Sequence, residues 1–172
     1  MAIYHHKESD LQIRCVKYFR IKYPAFARLL EHPKNEGSGN SKKDKANQAI
    51  AKAEGVQAGV ADLILHVPSE YGEWDGRIQE EPFKVHSMAI EMKTKTGSQS
   101  ADQKLFQRYF EASGGAYFLV RSFEDFCKKV DRHMDGVPYI IKSRVEELHA
   151  DIERERTEAA RRELQRIINK QK

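Results

Sequence analysis

The sequence predicts an α/β fold of three layers, with a mixed central sheet between helices and one long helix at the C-terminal end. Three observations predict it. Residues 60–65 and 88–95 have strand character, each with an acid among apolar neighbours. A third, uniformly apolar run at 116–120 follows a helical segment, and the order strand, helix, strand excludes an all-β sandwich. Residues 143–172 contain neither Pro nor Gly and read as a single helix. At 172 residues the chain is long enough to bury a real core.

In chain order, Leu11, Cys15, Val16 and Phe19 recur at helical spacing and Pro24 ends the pattern. Ser9 with Gln12 fits a capping box that leaves Glu8 outside this first helix; a start one turn earlier puts Glu8 on the stripe of Leu11, Gln12 and Cys15. Residues 31–41 read as a loop, and Asp44 as the cap of a short helix ending at Gly55. Gly55 and Gly59 bracket a turn with two positions free to take positive φ, which runs into the strand bearing Asp62. Between the two key strands, Asp75-Gly76 signals a hairpin turn, so those strands are expected to be antiparallel neighbours.

Ser100 with Gln103 forms a second capping box, before a helix bearing Leu105, Phe106, Tyr109 and Phe110 that Gly114-Gly115 closes. The 116–120 strand reads as the sheet centre, parallel to the 88–95 strand because a helical crossover joins them. Ser122 caps a helix through Phe126 and Val130, residues 137–141 read as an edge strand carrying Pro138, and Ser143 with Glu146 caps the long helix.

The formal net charge is +4, which permits a polyanionic partner without demanding one. Residues 7–28 carry six basic side chains against two acidic, and residues 34–52 carry five against two. Lys42, Lys43 and Lys45, with Lys95 and Arg121, are candidate contacts to a phosphate backbone. Cys15 and Cys127, each in an apolar helical pattern, are expected as free thiols in a reducing compartment. With no run of membrane-spanning length and no signal-peptide pattern, the expected location is the cytoplasm of a bacterium or a phage-infected cell. No Cys-x-x-Cys or His-Glu-x-x-His spacing supports zinc.

The chemistry concentrates at residues 88–95. Met88, Ile90 and Met92 alternate with Ala89, Glu91, Lys93 and Lys95, so the strand is expected to be apolar behind and charged in front. Alone, Glu91-x-Lys93 also fits a solvated strand face. Asp62 changes the reading, because an acid beside the apolar run Leu63-Ile64-Leu65 needs a partner. A cation shared with Glu91 supplies one, since hard divalent ions take one or two carboxylates, a carbonyl and waters.

Gly55-Val-x-x-Gly-Val-Ala-Asp62-Leu-Ile-Leu, then Ile90-Glu91-Met-Lys93, then Gly97-x-x-Ser100-x-x-Gln103 resembles the virus-type replication-repair nuclease family, VRR-NUC, of the PD-(D/E)xK superfamily. The resemblance implies a restriction-endonuclease-like fold in residues 1–135, with residues 136–172 as an extension. It implies a Mg²⁺ or Mn²⁺ site held by Asp62, Glu91 and the Met92 carbonyl, Lys93 on the attacking water, Gln103 on a helix beside the site, and Glu8 as the first-helix acid. Ala61 stands where the superfamily often has proline, and the loop acid or asparagine after the first helix has Asn35 and Glu36 among its candidates.

The implied activity is metal-dependent hydrolysis of DNA phosphodiesters. Small stand-alone members resemble paired nucleases that cut branched DNA such as Holliday junctions during replication, repair or recombination, which implies a homodimer. The residues themselves point to assembly through the long helix, whose interrupted stripe runs through Val145, Leu148, Ile152, Ala160, Leu164, Ile167 and Ile168. That stripe also fits against the helix's own core, and its basic second half fits along DNA. Two rival readings are a binding protein that keeps the nuclease fold without turnover, and an adaptor working through the terminal helix.

Overall fold

The computed structural model describes residues 7–33, 42–70 and 85–170. Its elements are α1 (Lys7–Lys22), β1 (Leu30–Glu31), α2 (Lys42–Ala53), β2 (Leu63–Leu65), β3 (Met88–Met92), α3 (Ala101–Ala112), β4 (Ala116–Val120), α4 (Phe123–Asp135) and α5 (Tyr139–Lys170), with a 3-10 turn at Pro24–Leu29. The strands lie in the order β1-β2-β3-β4. β2 runs antiparallel to β3, with Leu63 opposite Ile90, and β4 runs parallel to β3, with Glu91 opposite Leu119.

Both orientations match the sequence reading; the place of β4 does not. Among the described residues β4 is an edge strand, and β2 and β3 are central. Its uniform apolarity comes from helices on both faces, which the residue pattern does not distinguish from a central position.

The two faces are unequal. One carries the main core, in which Phe19, Phe26, Leu63, Leu65, Met88, Ile90, Met92, Val120, Phe126 and Val130 pack between the sheet, α1 and α4. Among the described residues the other carries a smaller cluster of Ala61, Ala89 and Tyr117, with Phe106 and Phe110 of α3 and Leu119 of β4 against them. Fully burying one large apolar side chain contributes about 1.5–3 kcal/mol, so the α1/α4 face supplies most of the apolar stabilisation. The thin α3 face is left with room for polar groups. Its small residues also correct the expected charged front of β3: every residue of the strand is buried, Glu91 included.

α1 begins at Lys7, so Glu8 and Ser9 lie inside its first turn and Ser9 is not its cap. The physical reason is a longer-range bond: the Glu8 carboxylate accepts from the Thr94 N–H at 2.9 Å, which holds the extra turn against the end of β3. α2 begins before Asp44, which is therefore helical, and the loop expected from residue 31 starts later because Glu31 pairs with Ile64. Gly55 and Gly59 take φ of 95° and 79°, as expected. The capping box of Ser100 and Gln103 and the Ser122 cap both form.

Residues 137–141 do not form an edge strand. The Pro138 carbonyl accepts from the N–H groups of Ile141 and Lys142, so the proline sits at a helix start, where its missing N–H costs nothing. α5 accordingly begins at Tyr139, and Ser143 is internal, its hydroxyl donating to Glu147 at 2.8 Å. Val145, Leu148, His149 and Ile152 line a cleft against Pro24–Leu29. Beyond Ile152 every described residue of α5 is exposed.

Asp131 ties α4 to α1, accepting from the hydroxyls of Tyr18 and Tyr23 and from Lys22. Burial pushes its pKa up, but these donors outweigh that and hold it below the usual carboxylate range. Cys15 in the main core and the half-buried Cys127 against it are free thiols; burial pushes Cys15 up to about 12. The Asp75-Gly76 hairpin, Asn35 and Glu36 lie outside the described residues, although Ser69 and Val85, on either side of the hairpin segment, form an antiparallel bridge. No described helix is long and apolar enough to cross a membrane.

Candidate active site

The site forms where the end of β3 meets the approach to β2 and the first turn of α3. Asp62 lies in a bend just before β2 and not in the strand. Its Oδ2 accepts from the Met92 N–H at 2.7 Å, which provides the partner its burial demands. The Asp62 carbonyl accepts from His32 Nδ1 at 2.6 Å, fixing the backbone on that side.

Glu91 is fully buried, and a buried carboxylate needs donors. Lys93 Nζ stands 2.7 Å from its Oε1, Gln103 Nε2 donates to the same oxygen, and the Tyr117 hydroxyl donates to Oε2 at 3.2 Å. Gln103 thus acts twice: its Oε1 accepts from the Ser100 N–H in the capping box, and its amide nitrogen reaches the acid.

The electrostatics are those of crowded carboxylates. Burial raises the pKa of Asp62, opposed by the Met92 N–H and Lys93, and the charge of Glu8 raises it further. Burial also raises Glu91; Lys93 opposes this, and the charge of Asp62 adds to it. A divalent cation would relieve this repulsion. Among the described residues no group of three His, Cys, Asp or Glu side chains surrounds a single point. Asp62 and Glu91 could serve as the two carboxylate donors of a hard divalent ion only if a carbonyl and waters completed its shell.

Position of α3 depends on Gly59. A Cβ there would lie 2.4 Å from the backbone carbon of Asp102 and 2.6 Å from the amide nitrogen of Gln103. The glycine turn thus packs directly on the first turn of α3 and sets how near Gln103 comes to Glu91.

A solved structure described as a VRR_NUC domain protein superposes on this chain with a TM-score of 0.58, covering 78% of this chain and 93% of that one at 14% sequence identity. The chain has the VRR_NUC domain fold. No family model and no curated protein sequence matches it. In this fold Glu91 contacts Lys93 and Gln103 directly, Asp62 bonds to the next residue of β3 after Glu91 through the Met92 N–H, and Glu8 lies at the rim through Thr94.

The candidate phosphate contacts are dispersed. Lys95 is exposed beside the site. Arg121 commits Nη1 to the carbonyls of Thr94 and Gly97, at 2.5 and 2.8 Å, and so braces the 94–97 turn. Lys42, Lys43 and Lys45 lie on α2, with side chains outside the described set. Sequence reasoning missed Tyr117 and His32. Tyr117 carries the one hydroxyl in the apolar run 116–120, and that polar atom was the available signal; His32 gave none.

Proposed function

We propose that the protein is a Mg²⁺- or Mn²⁺-dependent DNA endonuclease that hydrolyses phosphodiester bonds, acts on branched DNA and works as a homodimer. The observation that carries the activity is the buried pairing of Glu91 with Lys93 and Gln103 beside Asp62, on a VRR_NUC fold. A carboxylate buried this completely, with an ammonium at its mouth, serves no packing purpose on the thin face of the sheet. Asp62, Glu91 and the Met92 carbonyl would hold the cation. When bound, that ion polarises a phosphate oxygen and makes a water more acidic.

The chain's own residues do the rest. Glu91 holds the Lys93 ammonium in place, where Nζ stabilises negative charge developing on the phosphate or exchanges a proton with the attacking water. Gln103 and Tyr117 fix the plane of the Glu91 carboxylate, so little reorganisation accompanies the reaction.

A panel of single-stranded, duplex, flap and four-way-junction DNAs, digested with and without chelator, tests this reading. Cleavage should need Mg²⁺ or Mn²⁺ and should be fastest on branched forms. Equal cleavage in chelator would sink the metal mechanism, and tight binding with no cleavage of any substrate would favour a binding protein that keeps the fold.

The homodimer rests on α5. Leu164, Ile167 and Ile168 are 58%, 47% and 41% exposed on a helix end that packs on nothing described. Sedimentation should give a dimer for the full chain and a monomer for a truncation after Arg156, which keeps the half of α5 seated against Pro24–Leu29. A full-length monomer would remove dimerisation from the proposal.

A further inference from the structure

Beside Lys93 opens a cavity of about 560 Å³, between the start of α4 and the 93–96 segment, lined by Leu11, Arg14, Lys93, Lys95, Arg121 and Phe123 among others. This is within the usual volume range for a small-molecule site and suits a single nucleotide; it is far too small for a duplex. Its walls divide by chemistry. The Arg14 guanidinium lies over the Phe123 ring, 4.8 Å from the centroid, and Tyr18 meets the same ring edge-on at 5.5 Å. The phenyl ring is thus held edge-on by Tyr18 and covered by the guanidinium of an exposed Arg14, so this wall is aromatic and cationic at once, a surface on which a base can stack.

The opposite wall is polar: Lys93, Thr94, Lys95 and Thr96 follow one another, and Arg121 braces the turn through the Thr94 and Gly97 carbonyls. Glu124 is the one acid of the lining. Its own backbone N–H and the Ser122 hydroxyl lower its pKa, with Arg14 also contributing. Its charge is thus partly offset by these groups. Four basic residues, Arg14, Lys93, Lys95 and Arg121, face it.

We infer that this cavity is a one-nucleotide subsite for an unpaired nucleotide next to the scissile phosphate, with the base stacked on the Arg14–Phe123 platform and its phosphate at Lys95. The inference rests on the proposed nuclease reading for the word scissile, but the nucleotide site itself stands on the cavity. A base within a duplex is stacked on both sides and cannot lie on such a platform, so the substrate must present an unpaired nucleotide beside the cut. This gives a physical origin for selectivity toward flaps, gaps and junctions. A guanidinium platform accepts any base, so selectivity is for strand structure and not for sequence.

The test uses the full chain and deoxythymidine monophosphate as probe, with inorganic phosphate as its base-free counterpart. Titration by NMR in the absence of divalent metal should show the nucleotide binding about tenfold more tightly than phosphate, the ratio expected of one stacking contact. Arg14→Ala should abolish that advantage, and Lys95→Ala should weaken both ligands. Lys128→Ala, an exposed lysine on α4 outside the cavity, should change neither. A matched pair of DNAs, identical except that the nucleotide beside the cut is paired or unpaired, should be cleaved at different KM by the wild type and at similar KM by Arg14→Ala.

Equal affinity for nucleotide and phosphate in the wild type, or an unchanged preference in Arg14→Ala, would overturn the subsite. If the nucleotide results hold and no DNA is cleaved under any condition, the nuclease reading fails and the subsite stands. If cleavage is metal-dependent and indifferent to Arg14, the reverse is true.

Discussion

Lys93→Ala is expected to lower the single-turnover rate of DNA cleavage by about 10²- to 10³-fold, the range typical of removing one charge-stabilising donor. Binding should change little, because affinity for a polyanion is spread over many basic residues and one lysine contributes only a small part of it. The geometry explains the asymmetry. Lys93 is mostly buried, its ammonium held 2.7 Å from Glu91, so it is poorly placed to serve as a general phosphate contact and well placed to act at one atom. Lys93→Arg should not restore the rate, since a planar guanidinium cannot occupy the same point beside Glu91 and Gln103. Rates and affinities measured in parallel on a junction substrate check this. Loss of binding in proportion to activity would show Lys93 to be a phosphate clamp.

Gly59→Ala is expected to have the largest effect among substitutions that touch no charged group. Its φ of 79° costs an L-residue about 1–2 kcal/mol. The added methyl also meets backbone atoms of Asp102 and Gln103 that no rotamer change can move, and overpacking of this kind costs roughly 1–3 kcal/mol. Together these lower the melting temperature by roughly 5–15 °C.

Gly55→Ala is the natural comparison. Its φ is 95°, yet a Cβ there meets nothing within 4 Å, so it carries the conformational cost alone. Activity should separate the two further, because pushing α3 away withdraws Gln103 from Glu91. Indistinguishable melting temperatures and rates for the two variants would refute the role assigned to the close approach.

The parts of this site that were legible in the sequence are those encoded locally. The parity of Met88-Ala89-Ile90-Glu91-Met92 places Glu91 and Lys93 on one side of a strand. The capping box places Gln103 at a helix start, and the paired glycines announce the turn before Asp62. What was not legible depends on register and distance. That Tyr117 sits opposite Ala89, where its hydroxyl reaches Glu91, follows from how two strands align, and no local pattern records that alignment.

The same applies to α1. A local capping rule favoured Ser9, and a contact with Thr94 prevailed over it. Pro138 misled for a related reason: a short β-branched and aromatic run beside a proline fits an edge strand as well as a helix start, and packing against the 3-10 turn selects the helix.

The separation of partners along the chain has a consequence for synthesis. Glu8 reaches Thr94 across 86 positions, Asp62 reaches Met92 across 30, and Glu91 takes its last donor from Tyr117 in the final strand. Domains fold as units while the chain emerges, and pairings of this span close only when both partners are out of the ribosome. A nascent chain that has not yet exposed β4 already contains Asp62, Glu91 and Lys93, yet Lys93 lacks its backbone anchor on the Val120 carbonyl and Glu91 lacks Tyr117. The contacts around Glu91 and Lys93 are therefore completed late, and the nascent polypeptide carries Asp62, Glu91 and Lys93 before the strand that fixes their arrangement is in place.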